Sequence, residues 1–157
     1  MANLLTEQRF IHYPDYGVIT LADRAIEVST YPIEIFEQAK LDLAAGTTDE
    51  IVIHVIHWAD THPMVTIVAQ TWDDQPPAAP MAEGDKTAGP LDLDCPTGYL
   101  IVTSPTAGGT EVPLPQGPGT YAITCQQHHD PEQDTLTYTI RAWRTGTLPE
   151  AREDDDF

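Results

Sequence analysis

Histidine and carboxylate pairs are the residues of this chain whose types and spacing could do chemistry. His54 and His57 stand three apart and His62 follows five later. A bound metal needs ligands that converge, and on a strand positions 54 and 57 point to opposite faces. They therefore read as a hydrogen-bonded core histidine and a rim histidine rather than a zinc site. His128-His129-Asp130, ahead of Pro131, reads as a hairpin turn. Asp92 and Asp94 share a strand face, as paired carboxylates do in acid–base or Ca²⁺ sites. A solvated edge strand protected from aggregation by charge explains them equally well, and Asp73-Asp74 carries the same ambiguity. No Ser–His–Asp arrangement can be assigned, no Gly-rich phosphate loop follows a strand, and Gly108-Gly109 is an ordinary turn. The expectation is a protein that is not an enzyme and that uses no metal and no cofactor.

Two tryptophans carry more. Trp72 ends a strand beside Asp73-Asp74, and Trp143 is flanked by Arg141 and Arg144. An aromatic ringed by acids is a natural anchor for a basic protein surface, because binding energy concentrates at such residues. The expected partner-binding surface is therefore Trp72, Asp73, Asp74, Asp92 and Asp94, with Trp143, which alternation puts on the polar face of its strand. The competing reading is that the loop from Asp73 to Pro90 simply covers Trp143.

The charge balance limits the partner. The chain has 25 acidic against 7 basic residues, a formal net charge of -18, with lysine only at Lys40 and Lys86. Acids are spread along the whole chain. A field of that sign repels nucleic acid and anionic membranes and attracts basic proteins or cations. Nucleic acid and membranes are thus not expected as partners, an enzyme acting on phosphate-rich substrates is disfavoured, and a basic protein is expected. Solubility or adaptation to salt accounts for acidity as well, since charge speaks to association and not to fold.

The elements that must position these residues follow from periodicity. At 157 residues the chain reads as one domain over 1–149 with an acidic tail over 150–157. Gln8 to Tyr13, Tyr16 to Ala22 and Ala25 to Ser29 read as short strands. Pro32 opens a helix over Ile33 to Ala45, with Ile33, Phe36, Ala39 and Leu43 on one face and Gly46 as its stop. Ile51 to Trp58 and Met64 to Trp72 read as an antiparallel hairpin. Asp73 to Pro90 is proline-rich and reads as a long surface loop. Leu91 to Asp94 is a brief edge strand. Tyr99 to Val102 and Thr120 to Cys125 read as two strands joined by a long turn. Leu136 to Arg144 closes the fold, with Leu136, Tyr138, Ile140 and Ala142 inward. The fold class expected is mainly β, an antiparallel β-sandwich of seven or eight strands with one α-helix in the N-terminal half. Cys95 and Cys125 read as buried free thiols, though a bridge is geometrically conceivable. Met1-Ala2-Asn3-Leu4-Leu5 lacks the pattern of a signal peptide, so a soluble, cytoplasmic protein is expected.

This order of parts resembles the competence protein J, or DNA-entry nuclease inhibitor, family. The resemblance rests on a strand pair before a helix, two strands after it, and the segment Gly98-Tyr99-Leu100-Ile101-Val102. That segment leads to Leu114-Pro115-Gln116-Gly117-Pro118-Gly119-Thr120-Tyr121, similar to the family's leucine-proline, then glycine and tyrosine, entry to a strand. It covers residues 8 to 144, with Asp73 to Pro90 as an insertion, and carries over no inhibitory residue. The resemblance implies a small acidic protein that binds and blocks a nuclease, as immunity proteins block toxins. A carbohydrate- or small-ligand-binding sandwich, stacking its ligand on Trp58, Trp72 or Trp143, is the alternative. A metal-dependent enzyme using His54, His57 or His128 is a further one.

Overall fold

The computed structural model describes residues 2–13, 18–25, 45–48, 52–56, 64–103 and 109–146. These form ten strands: β1 (Leu4–His12), β2 (Val18–Asp23), β3 (Ala45–Thr48), β4 (Val52–Ile56), β5 (Val65–Trp72), β6 (Lys86–Cys95), β7 (Tyr99–Thr103), β8 (Thr110–Pro113), β9 (Gly119–Asp130) and β10 (Thr135–Gly146). They are arranged in two five-stranded sheets. The first has the order β1-β5-β10-β9-β6 and the second β3-β4-β2-β7-β8.

The period of two builds the core. Val65, Ile67 and Ala69 of β5, Tyr121, Ile123 and Cys125 of β9, and Leu136, Tyr138, Ile140 and Ala142 of β10 are buried from the first sheet. Ile19, Leu21, Leu100, Val102 and Val112 are buried from the second, and all of these form one apolar cluster. The two sheets are therefore layers of a single structure. Buried Asp23 ties the layers' connections at one end: it accepts the Thr97 N–H at 3.0 Å, the Thr97 hydroxyl at 2.7 Å and the Ala25 N–H at 2.9 Å.

Several expectations are corrected. The helix over Ile33 to Ala45 falls outside the described residues except for Ala45, which with Gly46 begins a strand, β3, instead of ending a helix. The described residues contain no helix long and apolar enough to cross a membrane. Ile51 to Trp58 and Met64 to Trp72 do not form a hairpin: β4 pairs with β2 and β3, and β5 with β1 and β10, in different sheets. Alternation tells which face of a strand is apolar, not which neighbour it takes. Likewise β7 and β9 lie in opposite sheets, and the turn between them holds β8, which pairs with β7. Pro113 ends β8 at the sheet edge, where a missing N–H is tolerated. The first sheet is mixed, because β5 and β10 run parallel. The turn expected at His128 to Asp130 falls at Pro131–Asp134, and β9 continues through Asp130.

Cys95 sits opposite Gly119 and Cys125 opposite Ala88 on the β6–β9 pair. The step along β9 from Gly119 to Cys125 is about 20 Å at roughly 3.4 Å per residue, against the roughly 7 Å limit between bridged Cα atoms. Both are free, buried thiols.

Candidate partner-binding face

The side of the first sheet turned away from the core gathers most of the residues singled out by sequence. Register places Trp72 beside Trp143, Trp143 beside Ala122, and Ala122 beside Asp92, a single row across β5, β10, β9 and β6. The next row is Gln70, Arg141 and Thr124, and the one after it Val68, Thr139, Gln126 and Thr87. Trp72, Trp143 and Asp92 thus come together although 71 positions separate the first from the second.

The proline-rich segment from Asp73 to Asp85 lies over these rows and is fastened along its length. The Asp73 carboxylate accepts the Asn3 backbone N–H at 2.6 Å and its side-chain amide at 3.0 Å, while the Asp73 carbonyl accepts from Gln116 at 3.2 Å. The Arg141 guanidinium donates to the Pro77 carbonyl at 2.8 Å, and the Gln126 amide to the Pro80 carbonyl at 3.1 Å. At the far end the Asp85 carboxylate meets His128 Nδ1 at 2.8 Å, the Gln126 amide at 3.0 Å and the Ala82 N–H at 3.0 Å. Residues 86–90, expected as loop, belong to β6.

These contacts set the acids' protonation. The Asn3 backbone N–H, then its side-chain amide, holds the Asp73 carboxyl below its ordinary value. Burial pushes Asp85 upward, but the bonds from His128, Ala82 and Gln126 together outweigh it, so Asp85 is also lowered.

Trp143 is a correction to the expected surface. It is 6% exposed and shares a cavity of about 250 Å³ with Gln75 to Ala79, Met81 and Arg141, so it lies beneath the segment rather than open to a partner. The Trp72 ring is half-buried and has a cation of its own chain as neighbour, the Arg141 guanidinium at 5.3 Å. Asp94 is 8% exposed and accepts the Thr120 hydroxyl at 3.1 Å. Asp73 is committed to Asn3. Of the expected acids, Asp74 and Asp92 are exposed. Other acids have partners elsewhere, Glu111 with Arg24 at 3.7 Å and Asp134 with His129 at 2.9 Å.

For the histidines, His54 lies in β4 opposite Thr20, and His57, His62 and Trp58 lie outside the described residues. Among the described residues no group of His, Cys, Asp and Glu has the arrangement of a metal site. Arg141, Gln126, Asp85 and His128 were not singled out as a set. The available signal was weak: Arg141 and Trp143 alternate on the polar face of β10, and a proline-rich insertion needs a surface to lie on.

No protein-family model matches the sequence, and no curated protein matches it either. Two solved structures are similar in fold. One is ComJ of Bacillus subtilis, inhibitor of the DNA-degrading activity of NucA, with TM-score 0.61 and 15% identity, covering 92% of this chain and 99% of that one. The other is the protein described as crocagin biosynthetic gene J, with TM-score 0.56 and 12% identity, covering 89% of this chain and 99% of that one. The fold resembles that of the nuclease inhibitor ComJ over nearly the whole length of both chains.

Proposed function

We propose that this chain is a non-catalytic binding protein that docks on a basic enzyme, a DNA-degrading nuclease, and neutralises it. The likeness in fold to an inhibitor of such an enzyme, over nearly the whole chain, carries this reading. The net charge of -18 supports it physically. Nucleases that grip phosphate present basic clefts, and a negative partner is steered into them. The expected contact surface is the rim of the face described above: Asp74 and Asp92 as exposed charges, Trp72 as the anchor, and Asp73 and Asp94 as carboxylates that fix its edges.

The test is a DNA-degradation assay with a basic nuclease of the NucA kind, or one encoded beside this chain's own gene, titrated with the purified protein. Inhibition should saturate at a stoichiometric ratio, and association should slow steeply between low and high salt. Asp74→Lys and Asp92→Lys should slow association without changing the fold. Unabated cleavage at excess protein, or association indifferent to salt, would remove the reading.

A second reading has one observation in its favour, the cavity of about 250 Å³ between the segment and the sheet. Trp143, Arg141, Thr139 and Gln126 line it, a mixture of ring and hydrogen-bonding groups suited to a small neutral ligand. Quenching of tryptophan fluorescence by such a ligand, insensitive to salt, would favour it over the first.

A further inference from the structure

Among the described residues the two sheets have four edges, and three of them are ill suited to further pairing. β3 and β8 are four residues long, and β8 ends in Pro113. β6 is interrupted by a register shift between Ala88 and Leu91, with Pro90 inside it and Asp92 and Asp94 beyond it. The fourth edge, β1, is a nine-residue strand with only Glu7 and Arg9 as charges, and its one register shift lies at its start, between Leu4 and Thr6, leaving Thr6 to His12 regular. It exposes Leu4, Leu5 and Ile11, the last at 50%. A long edge strand with apolar side chains open to solvent is a template for another strand.

We infer that β1 pairs antiparallel with β1 of a second copy, joining the two first sheets into one continuous sheet across a two-fold axis at Gln8. The register follows from side-chain chemistry. A two-fold antiparallel pair joins residue i to residue s minus i, and s must be even for outward backbone groups to meet their counterparts. Centred on Glu7, the pairing sets Glu7 against its own copy. Centred on Arg9, it sets Arg9 against its own copy. Like charges directly opposite destabilise a sheet. Centred on Gln8, it sets Glu7 against Arg9 of the second copy twice over, and Thr6 against Phe10, all within the regular stretch of the strand. Within one chain Glu7 and Arg9 already lie 3.6 Å apart, so all four charges form one alternating cluster. Of these three registers only this one makes the regular stretch Thr6-Glu7-Gln8-Arg9-Phe10 complementary to its own copy.

Each copy carries a net charge of -18, so long-range repulsion opposes the pairing and salt promotes it. The inference is independent of whether the chain blocks a nuclease. Sedimentation equilibrium of the full chain at 0.05 and 0.5 M salt tests it. A monomer–dimer equilibrium that shifts toward dimer with salt is expected. Glu7→Arg and Arg9→Glu should each weaken it about tenfold, because two attractive pairs become repulsive. The double variant, with both exchanges, restores Arg–Glu pairs and should recover the dimer, which separates a pairing effect from damage to the fold. A chain that stays monomeric in high salt at millimolar concentration overturns the inference. So does a dimer indifferent to both single reversals.

Discussion

Replacing Arg141 by Met tests how the proline-rich segment is held. Arg141 donates to the Pro77 carbonyl at 2.8 Å and to Gln70 Oε1 at 3.3 Å, and its guanidinium faces the Trp72 ring at 5.3 Å. Each hydrogen bond contributes about 1 kcal/mol net, and an exposed cation–ring contact about 0.5 kcal/mol. Methionine keeps the apolar stem and loses the fork. The sum, lowered for partial exposure, is about 2 kcal/mol, or about 4–8 °C in Tm for a domain of this size. Urea unfolding followed by circular dichroism measures the stability. Acrylamide quenching in native buffer measures the local effect: Trp143, 6% exposed when covered, should become accessible and its emission should shift to the red. Arg141→Lys keeps the charge without the planar fork and should recover part of the loss. If Arg141→Met melts within about 1 °C of the parent and quenches identically, the segment is held by something else and the covering of Trp143 has been misattributed.

Two further outcomes follow from the titratable groups. Cys95 and Cys125 are buried, and burial pushes the Cys125 thiol up to about 12 and raises Cys95 further still. A thiol reagent at pH 8 should therefore label neither in the folded chain and both in denaturant. Rapid native labelling of either would show that the core opens there. Asp73 and Asp85 are both lowered from 3.8, so each stabilises the folded state fully above that value and loses its contribution as pH falls through its own lower one. The segment should then loosen on acidification below about pH 3.8, with tryptophan quenching rising before the circular dichroism of the sheets changes. Coincident transitions at all pH values would mean that the segment and the sheets unfold as one unit.

The strands were legible in the sequence to the extent that their side chains alternate. Leu136 to Ala142 and Tyr121 to Cys125 show a clean period of two, and the structure buries the residues it marks. Pairing was not legible, since strands adjacent in sequence, such as β4 and β5, enter different sheets, and nothing in their composition encodes the partner. The short strands β3 and β8 were missed because Ala45-Gly46 and Pro113 read as helix end and turn. The face carrying Trp72 and Asp92 was visible only as separate residues. Its cover was not, because the segment from Asp73 to Asp85 has few large apolar groups and is held through backbone carbonyls. Those acceptors are present at every residue and leave no mark in the sequence.

The parallel pair β5–β10 has a consequence for how the chain acquires its shape. β10, the most C-terminal described strand, occupies the middle of its sheet, between β5 and β9. During vectorial synthesis β1 and β5 must wait, unsupported on one flank, until residues beyond 140 have left the ribosome. Closure of so distant a contact makes assembly slow and leaves the earlier strands open to wrong partners in the interval. Removing the last strand by truncation would accordingly not trim the molecule but split its first sheet in two.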